Sequence, residues 1–272
     1  MADFSGQLSL CAEARADGTT VLAAQSFRAP YHISKPYWDA GTGVLLVQVV
    51  NPTAGILRGD RLESEIAVGA GAALLVTTPS ASRIFQMAGG AAESRQTFRV
   101  ASGGWLEVAP EPLVPHRGAR FHQRTAVEVE PGGALFFVDQ LQPGRVAHGE
   151  VWLWDRLCLE LDVRRGGELV LRERLDQSGE ELRALAELAG SGPAACFANA
   201  VLLADGGEGS WRAEIGALHR DGLWVGVSAL RRGGWSIRLV SPDSIRLRQA
   251  LSDLRRILSA HFPPMACSLR KL

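Results

Sequence analysis

Residues 129–135 read Val-Glu-Pro-Gly-Gly-Ala-Leu, and the pattern of this short stretch recurs along the chain. Its signature is a valine, two residues, a glycine, a small residue, one further residue and a hydrophobic position. The signature also occurs at residues 68–74, 100–106 and 163–169, and the four copies start 32, 29 and 34 residues apart. A degenerate fifth copy lies at residues 230–234, about two periods further on. The chain therefore contains an internal repeat of about 30 residues.

Each copy lies between two strand signals. Alternating polar and apolar positions precede the second and third copies, and short apolar runs follow all four, at residues 73–77, 105–109, 134–138 and 168–171. Glycine reaches positive φ without a Cβ penalty, so the glycines are expected to form tight turns between strands. Stacked units of this kind predict hairpins or β-solenoid coils that bury their apolar faces against one another. The alternative is an ordinary β-sandwich with recurring glycine-rich hairpins.

Helices are predicted only late in the chain. Residues 179–188 begin with two glutamates and space three leucines on one face. A C-terminal helix is predicted after Ser241, which we expect to be its N-cap, with Pro242 as the first helical residue and Pro263-Pro264 ending it. A weaker helix is expected at residues 211–218.

These patterns predict a mainly β chain of stacked strand-turn-strand units in a β-helix-like solenoid, with two or three flanking α-helices including a C-terminal one. We expect a single domain over residues 1–272. Its β-repeat region would cover about residues 6–175, and an α/β portion of about residues 176–272 would pack on it.

Composition limits the function classes. The 272 residues are 46% hydrophobic and 21% charged, which is typical of a globular protein. The 29 basic and 29 acidic residues cancel, and this argues against non-specific nucleic-acid binding. The four cysteines contain no C-x-x-C pair, so buried thiols in a reducing compartment are expected. The first residues show no signal-peptide pattern, and no apolar run approaches the roughly 20 residues of a membrane span. We therefore expect a cytoplasmic protein.

No familiar catalytic motif is present. The six histidines form no H-x-H or H-x-x-H pair, although His116 and His122 flank one loop–strand junction and could meet in space. Cys158 lies in an alternating apolar run, which favours a packing role. Polar residues also follow several apolar strands: Asp60, Ser82, Asp139, Glu150 and Glu173.

A carboxylate directly after an apolar run is costly to bury unpaired. Asp139 is therefore expected to pair with Arg145, to line water or to contact a cation. For each acid taken alone, a salt bridge or a turn cap is the more ordinary explanation.

Taken together, these segments resemble the urease accessory protein family UreD, also called UreH. The matching features are Gly59-Asp60, the strand and loop at residues 74–83, the proline-acid segment at residues 106–112, the strand ending in Asp139, the run at residues 143–150, and the glycine repeats. They occur in family order over about residues 7–175, with a weaker match through the C-terminal helix.

The resemblance implies a β-helix-like scaffold that is not an enzyme. This chaperone would dock on the urease apoprotein and bind UreF, which in turn recruits the GTPase UreG. Nickel(II) in transit, with no tightly bound cofactor, would pass through an internal polar tunnel into the dinickel site of urease. By motif position, the resemblance assigns Asp60, Ser82, Asp139 and Glu173 to that route. Oxygen ligands of this kind hold nickel weakly, whereas thiolate or imidazole clusters would trap it.

Two other classes stay open. A cytoplasmic β-solenoid carbohydrate-active enzyme could use the paired carboxylates Asp139 and Glu173, since such pairs perform glycoside chemistry at separations of about 5–10 Å. The chain could also be a protein-interaction scaffold unrelated to urease.

Overall fold

Strands make up most of the chain. The structure, a computed structural model, describes residues 5–188, 192–205 and 211–269. The strands of the repeat region are β1 (Ser5–Ala14), β2 (Thr20–Arg28), β3 (His32–Ile33), β4 (Tyr37–Asp39), β5 (Val44–Val50), β6 (Arg61–Val68), β7 (Ala73–Thr77), β8 (Ser82–Ile84), β9 (Ala92–Val100), β10 (Trp105–Ala109), β11 (Leu113–Pro115), β12 (Arg120–Val129), β13 (Ala134–Leu141), β14 (Gly144–Arg145), β15 (Glu150–Val151), β16 (Arg156–Arg165) and β17 (Glu168–Gln177).

The C-terminal portion adds α1 (Gly179–Leu188), β18 (Cys196–Leu203), α2 (Trp211–Gly216), β19 (Trp224–Ala229), β20 (Trp235–Ser241) and α3 (Ser244–Ser259). Two short 3-10 helices lie at Val146–His148 and Pro263–Ala266. None of the helices in the described part of the chain has the length and apolar character that crossing a membrane requires.

The repeat region forms a β-solenoid of about four turns, as predicted. The first sheet has the order β17-β16-β12-β9-β6-β1-β2, and the second runs β19-β20-β18-β13-β10-β7-β5-β3. The chain passes from a strand of the first sheet through a glycine turn to a strand of the second sheet. It then returns to the first sheet, where its next strand pairs beside the strand it left. Strands β1, β6, β9, β12 and β16 therefore pair in parallel, as do β5, β7, β10 and β13. An antiparallel hairpin sandwich is excluded for these coils.

The glycine signature serves two purposes. At its first three copies the turn joins strands of different sheets and so forms a corner of the coil. The fourth copy joins β16 and β17, which pair antiparallel in one sheet, and the degenerate copy joins β19 and β20 in the same way. Among the described residues no further coil stacks beyond β16 in the first sheet, so β17 folds back on β16 and forms the edge strand. The hairpin of β1 and β2 closes the other end of that sheet.

The corner turns stack directly on one another. Gly103 and Gly132 have φ of +72° and +82°, a region that favours glycine. The Gly103 N–H donates to the Gly132 carbonyl oxygen at 3.0 Å, which links two successive corners. A Cβ on Gly133 would lie 2.8 Å from the carbonyl oxygen of Ala101 in the preceding corner. The paired glycines thus meet two requirements, left-handed backbone at the first position and close stacking at the second.

Between the two sheets, the interior near the glycine corners is apolar. Ile66, Phe98 and Val127 stand in register across β6, β9 and β12 and are buried. Phe98 meets Phe137 of the second sheet edge-to-face, with ring centroids 5.9 Å apart. This packing holds the sheets together at one end of the strands.

The C-terminal portion extends the second sheet and covers its outer face. Strand β18 pairs antiparallel with β13, and α2 and α3 share a core with the outward side chains Trp105, Phe136 and Val138. Glu107 of β10 is fully buried, and the guanidinium of Arg255 in α3 donates two hydrogen bonds to its carboxylate, at 2.7 and 3.0 Å. The same guanidinium donates to the Cys267 carbonyl oxygen, so one ion pair fastens helix, sheet and C-terminal segment together.

The three predicted helices are present, but the cap of α3 was predicted wrongly. Asp243 is the N-cap, since its carboxylate accepts from the Arg246 N–H at 2.8 Å. Ser241 ends β20, and its hydroxyl donates to the Asp243 carbonyl oxygen. The helix ends at Ser259, before the two prolines, which begin a 3-10 helix instead.

Candidate functional site: a polar interior of the solenoid

The interior changes from apolar to polar toward the starts of the first-sheet strands. Ser64, Gln96 and Thr125 stand in register on β6, β9 and β12, two residues before the apolar layer. The Thr125 hydroxyl donates to Gln96 Oε1 at 3.1 Å. Another two residues earlier, Ser94 and Gln123 are buried beside each other. Alternation along a strand makes all of these side chains point between the sheets, so the solenoid has an oxygen-rich layer inside.

A cavity of about 230 Å³ lies against this layer. Its wall includes Ser64, Gln96, Ser82 and Asp139, together with Tyr31. Burial raises the pKa of the Tyr31 phenol to about 12, so it stays protonated. The cavity therefore presents hydroxyl, amide and carboxyl oxygens against apolar surroundings.

Asp139 lies where this cavity meets a second one of about 470 Å³. Burial, followed by repulsion from Glu173, raises the pKa of the Asp139 carboxyl to about 7. The Asp139 residue is half-buried, and it borders the space of both cavities. The expected pairing with Arg145 is wrong. Arg145 instead binds Glu150 with bonds of 2.6 and 2.9 Å, across the small β14–β15 ladder.

Glu173 lines the second cavity from the first sheet. Its side chain is 14% exposed, and its carboxylate accepts a hydrogen bond from Arg238 at 2.5 Å. Arg238 belongs to β20 and stands in register with Asn199 of β18, which stands in register with Asp139. A row of polar side chains thus crosses the second sheet and ends in an ion pair with the first.

A third cavity of about 520 Å³ reaches the outer surface of the first sheet. Glu173, Gln96 and Thr125 line it together with the exposed arginines Arg95 and Arg124. Each of the three cavities thus shares wall residues with the next, and in the part of the chain that the structure describes their walls contain no histidine or cysteine. Oxygen donors of this kind bind a divalent transition metal weakly.

Three of the four residues assigned by resemblance line these cavities, and Asp60 does not. Ser82 begins β8 in the wall of the first cavity, and Asp139 and Glu173 share the second. Asp60 is buried in the turn before β6, where its carboxylate accepts from the Leu57 N–H at 2.8 Å.

Sequence reasoning missed Gln96, Gln123, Asn199 and Arg238. The signal for the first two was available, because both are polar residues at inward positions of alternating strands whose inward positions also include the buried apolar residues Phe98 and Val127. Asn199 and Arg238 reach the site only through the pairing of β18 and β20 with β13, which the repeat does not predict.

The fold and this interior define a β-solenoid with oxygen-lined cavities that share wall residues. A family model described as UreD urease accessory protein matches residues 5–270. The chain is 63% identical over 272 residues to the urease accessory protein UreD of Opitutus terrae, covering 99% of this chain and 100% of that protein. It is 31% identical over 254 residues to urease accessory protein UreD 2 of Streptomyces griseus subsp. griseus, covering 88% and 84%. The chain belongs to the UreD family.

Proposed function

We propose that this chain acts in urease maturation as a non-enzymatic scaffold in the cytoplasm. It binds the urease apoprotein and the UreF–UreG complex, and nickel(II) crosses its polar interior on the way to the urease active site. The observation that carries this proposal is the series of three cavities with shared walls, in which Ser82, Asp139 and Glu173 supply oxygen atoms. Family membership supports the urease connection.

The chemistry of Asp139 fits a transit site rather than a storage site. A carboxyl group with a pKa of about 7 exchanges its proton for a metal ion at neutral pH with little cost either way. Glu173 is already paired with Arg238, so the two acids and this arginine together carry a net charge of about −1 when Asp139 is ionised. We expect that combination to bind nickel weakly and release it readily.

The test is urease activation in cells that express all the accessory proteins. Asp139→Asn keeps the shape of the side chain and removes the charge, so nickel content and activity of the purified urease should fall severalfold while this chain still co-purifies with UreF and urease. Asp155→Asn is the matched control, because Asp155 forms only a surface ion pair with Arg120 at 3.0 Å. Full nickel loading with Asp139→Asn in an intact complex would reject the route.

Asp60 remains a proposed route residue on the resemblance alone. Its observed bond to the Leu57 N–H supports a role in the turn. Comparing complex assembly with nickel content in an Asp60→Asn strain separates the two roles, since a turn defect lowers both and a route defect lowers nickel alone.

The carbohydrate-active alternative retains one supporting observation, since Asp139 and Glu173 do line one cavity. Glu173 is held by Arg238, however, and the relatives are named as accessory proteins. Turnover of a polysaccharide panel by the purified chain would favour this alternative.

A further inference from the structure

A separate group of possible metal ligands lies on the outer face of the first sheet. His122 of β12 and Cys158 of β16 are direct neighbours in the parallel register, and Glu160 follows two residues later on the same face. His122 Nε2 lies 3.3 Å from Glu160 Oε2, and Cys158 Sγ lies 3.9 Å from Glu160 Oε1. One ligand atom from each residue lies within 4.8 Å of the others.

The strands hold these three side chains in place. Phe121 and Leu157, the residues before His122 and Cys158, are buried in the interior and fix the orientation of both strands. The expectation of a buried thiol is wrong for Cys158, because the alternation of β16 directs its side chain outward, where it is half-buried. A divalent ion would therefore meet a thiol, an imidazole and a carboxylate on a rigid sheet, with little rearrangement required.

We propose that His122, Cys158 and Glu160 form an open three-ligand site for a divalent transition-metal ion. A thiolate and an imidazole select the borderline ions Zn²⁺, Co²⁺ and Ni²⁺ over Mg²⁺ and Ca²⁺. Three protein ligands leave a coordination position for water or for a ligand from another molecule. Glu160 also lines the second and third cavities, so this site adjoins the polar interior. The proposal rests on the outer-face geometry and does not require the nickel route.

Two arginines keep the site weak. Arg124 Nε lies 2.8 Å from Glu160 Oε2, and Arg174 Nε lies 3.4 Å from Glu160 Oε1. Both compete with a cation for the carboxylate, and their charges repel it. Arg174→Ala is therefore expected to tighten metal binding, whereas a site without metal function would show no such gain.

The chain supplies a matched control for the thiol. Cys11 is also half-buried on the outer face of the same sheet, with Sγ 3.9 Å from Glu13 Oε1 two residues later. Its cross-strand neighbours are Ala24 and Ala67 rather than a histidine. Cys158 has the His122 imidazole as a neighbour, together with Asp176 and Arg174 of β17, and Cys11 has no counterpart of these among its cross-strand neighbours.

The experiment titrates the purified full chain with Co²⁺ and with Ni²⁺ and follows the thiolate-to-metal charge-transfer absorption. We expect this band in the unsubstituted chain and in Cys11→Ala, none in Cys158→Ala, and an affinity at least about tenfold lower in His122→Gln. The unfolding transition of each variant confirms that it is folded, and Cys158→Ser gives a second test with the side-chain volume retained.

A band that persists in Cys158→Ala, vanishes in Cys11→Ala, or is absent from the unsubstituted chain would overturn the proposal. Asp139→Asn should keep the band at full strength, because Asp139 belongs to the interior. Loss of the band in that variant would contradict a site independent of the interior, since no cysteine lines the described cavity walls. Failure of this site and failure of the nickel route therefore give different results.

Discussion

Among single residues, Asp139 has the most unusual environment. It ends the apolar strand β13, lines two cavities and faces the charge of Glu173. Its pKa of about 7 lies well above the value of roughly 3.9 for an unfolded aspartate. The folded state therefore binds this proton more tightly than the unfolded state does.

That difference predicts a pH dependence of stability. Between about pH 4 and pH 7 the folded state holds more protons at Asp139, so the free energy of unfolding falls as pH rises through this range. The loss is up to about 4 kcal/mol, at roughly 1.4 kcal/mol per pKa unit. Asp139→Asn cannot ionise, so its advantage over the unsubstituted chain should grow from pH 4 to pH 8 in urea denaturation.

Glu173→Gln is the companion variant for this measurement. It removes the neighbouring negative charge, lowers the pKa of Asp139 and should make the decline with pH shallower. Parallel stability curves for the unsubstituted chain and Asp139→Asn would show that Asp139 ionises normally.

The sequence indicated the candidate residues better than their partners. An acid after an apolar run marked Asp139 as unusual, and the structure agrees. The prediction that it pairs with Arg145 was wrong, because the chain turns between β14 and β15 and this turn brings Arg145 against Glu150. His122 and Cys158 were each noticed in the sequence and Glu160 was not, and only the register of β12 with β16 brings the three together.

Among the elements, the glycine corners fix the spacing of the coils. The second glycine of a corner is required by contact rather than by φ. A Cβ at Gly133 would meet the carbonyl oxygens of Ala101 and Glu130 at 2.8 and 3.1 Å, and backbone atoms of a stacked corner cannot move aside independently.

Gly133→Ala is therefore expected to lower the free energy of unfolding by about 1–3 kcal/mol. Gly226→Ala is the control, because a Cβ on that glycine of β19 meets nothing within 4 Å and its φ is not in the positive range. The control should change stability by no more than about 0.5 kcal/mol. Equal midpoints for the two variants in chemical denaturation would contradict the stacking explanation.

Element identity was predictable here, and element pairing was not. The repeat revealed the strand-turn-strand units because hydrophobic periodicity and turn glycines are local signals. The copies at residues 100–106 and 163–169 look alike, yet one is a corner and the other a hairpin. The two copies differ in whether another coil lies next to the strand. That depends on residues distant in the sequence, which the local pattern does not contain.

At the scale of the whole molecule, the two portions of the chain share a core. Trp105, Phe136 and Val138 of the solenoid pack with residues of β18, β20, α2 and α3. The buried pair Glu107–Arg255 crosses the same boundary. The solenoid therefore has a large apolar face and a buried acidic group that the C-terminal portion covers.

A chain ending at Gln177 should consequently fail to form a cooperative monomer. Removing one partner of a buried ion pair costs about 3–5 kcal/mol by itself, and the exposed face adds to this loss. We expect aggregation in size-exclusion chromatography and no sharp denaturation transition, with partial recovery when residues 178–272 are co-expressed. A monomeric fragment with a cooperative transition would show that the repeat region is an independent domain.

Because the coils stack in parallel, the length of the solenoid increases by a fixed step with each coil. Neighbouring strands lie about 4.8 Å apart, so a duplicated coil inserted between β10 and β12 would lengthen the molecule by one such step. The closing hairpins and the C-terminal layer would keep their own contacts, since they adjoin other coils. We therefore expect lengths among relatives to differ in whole steps of about 30 residues within this region, with smaller differences confined to the loops.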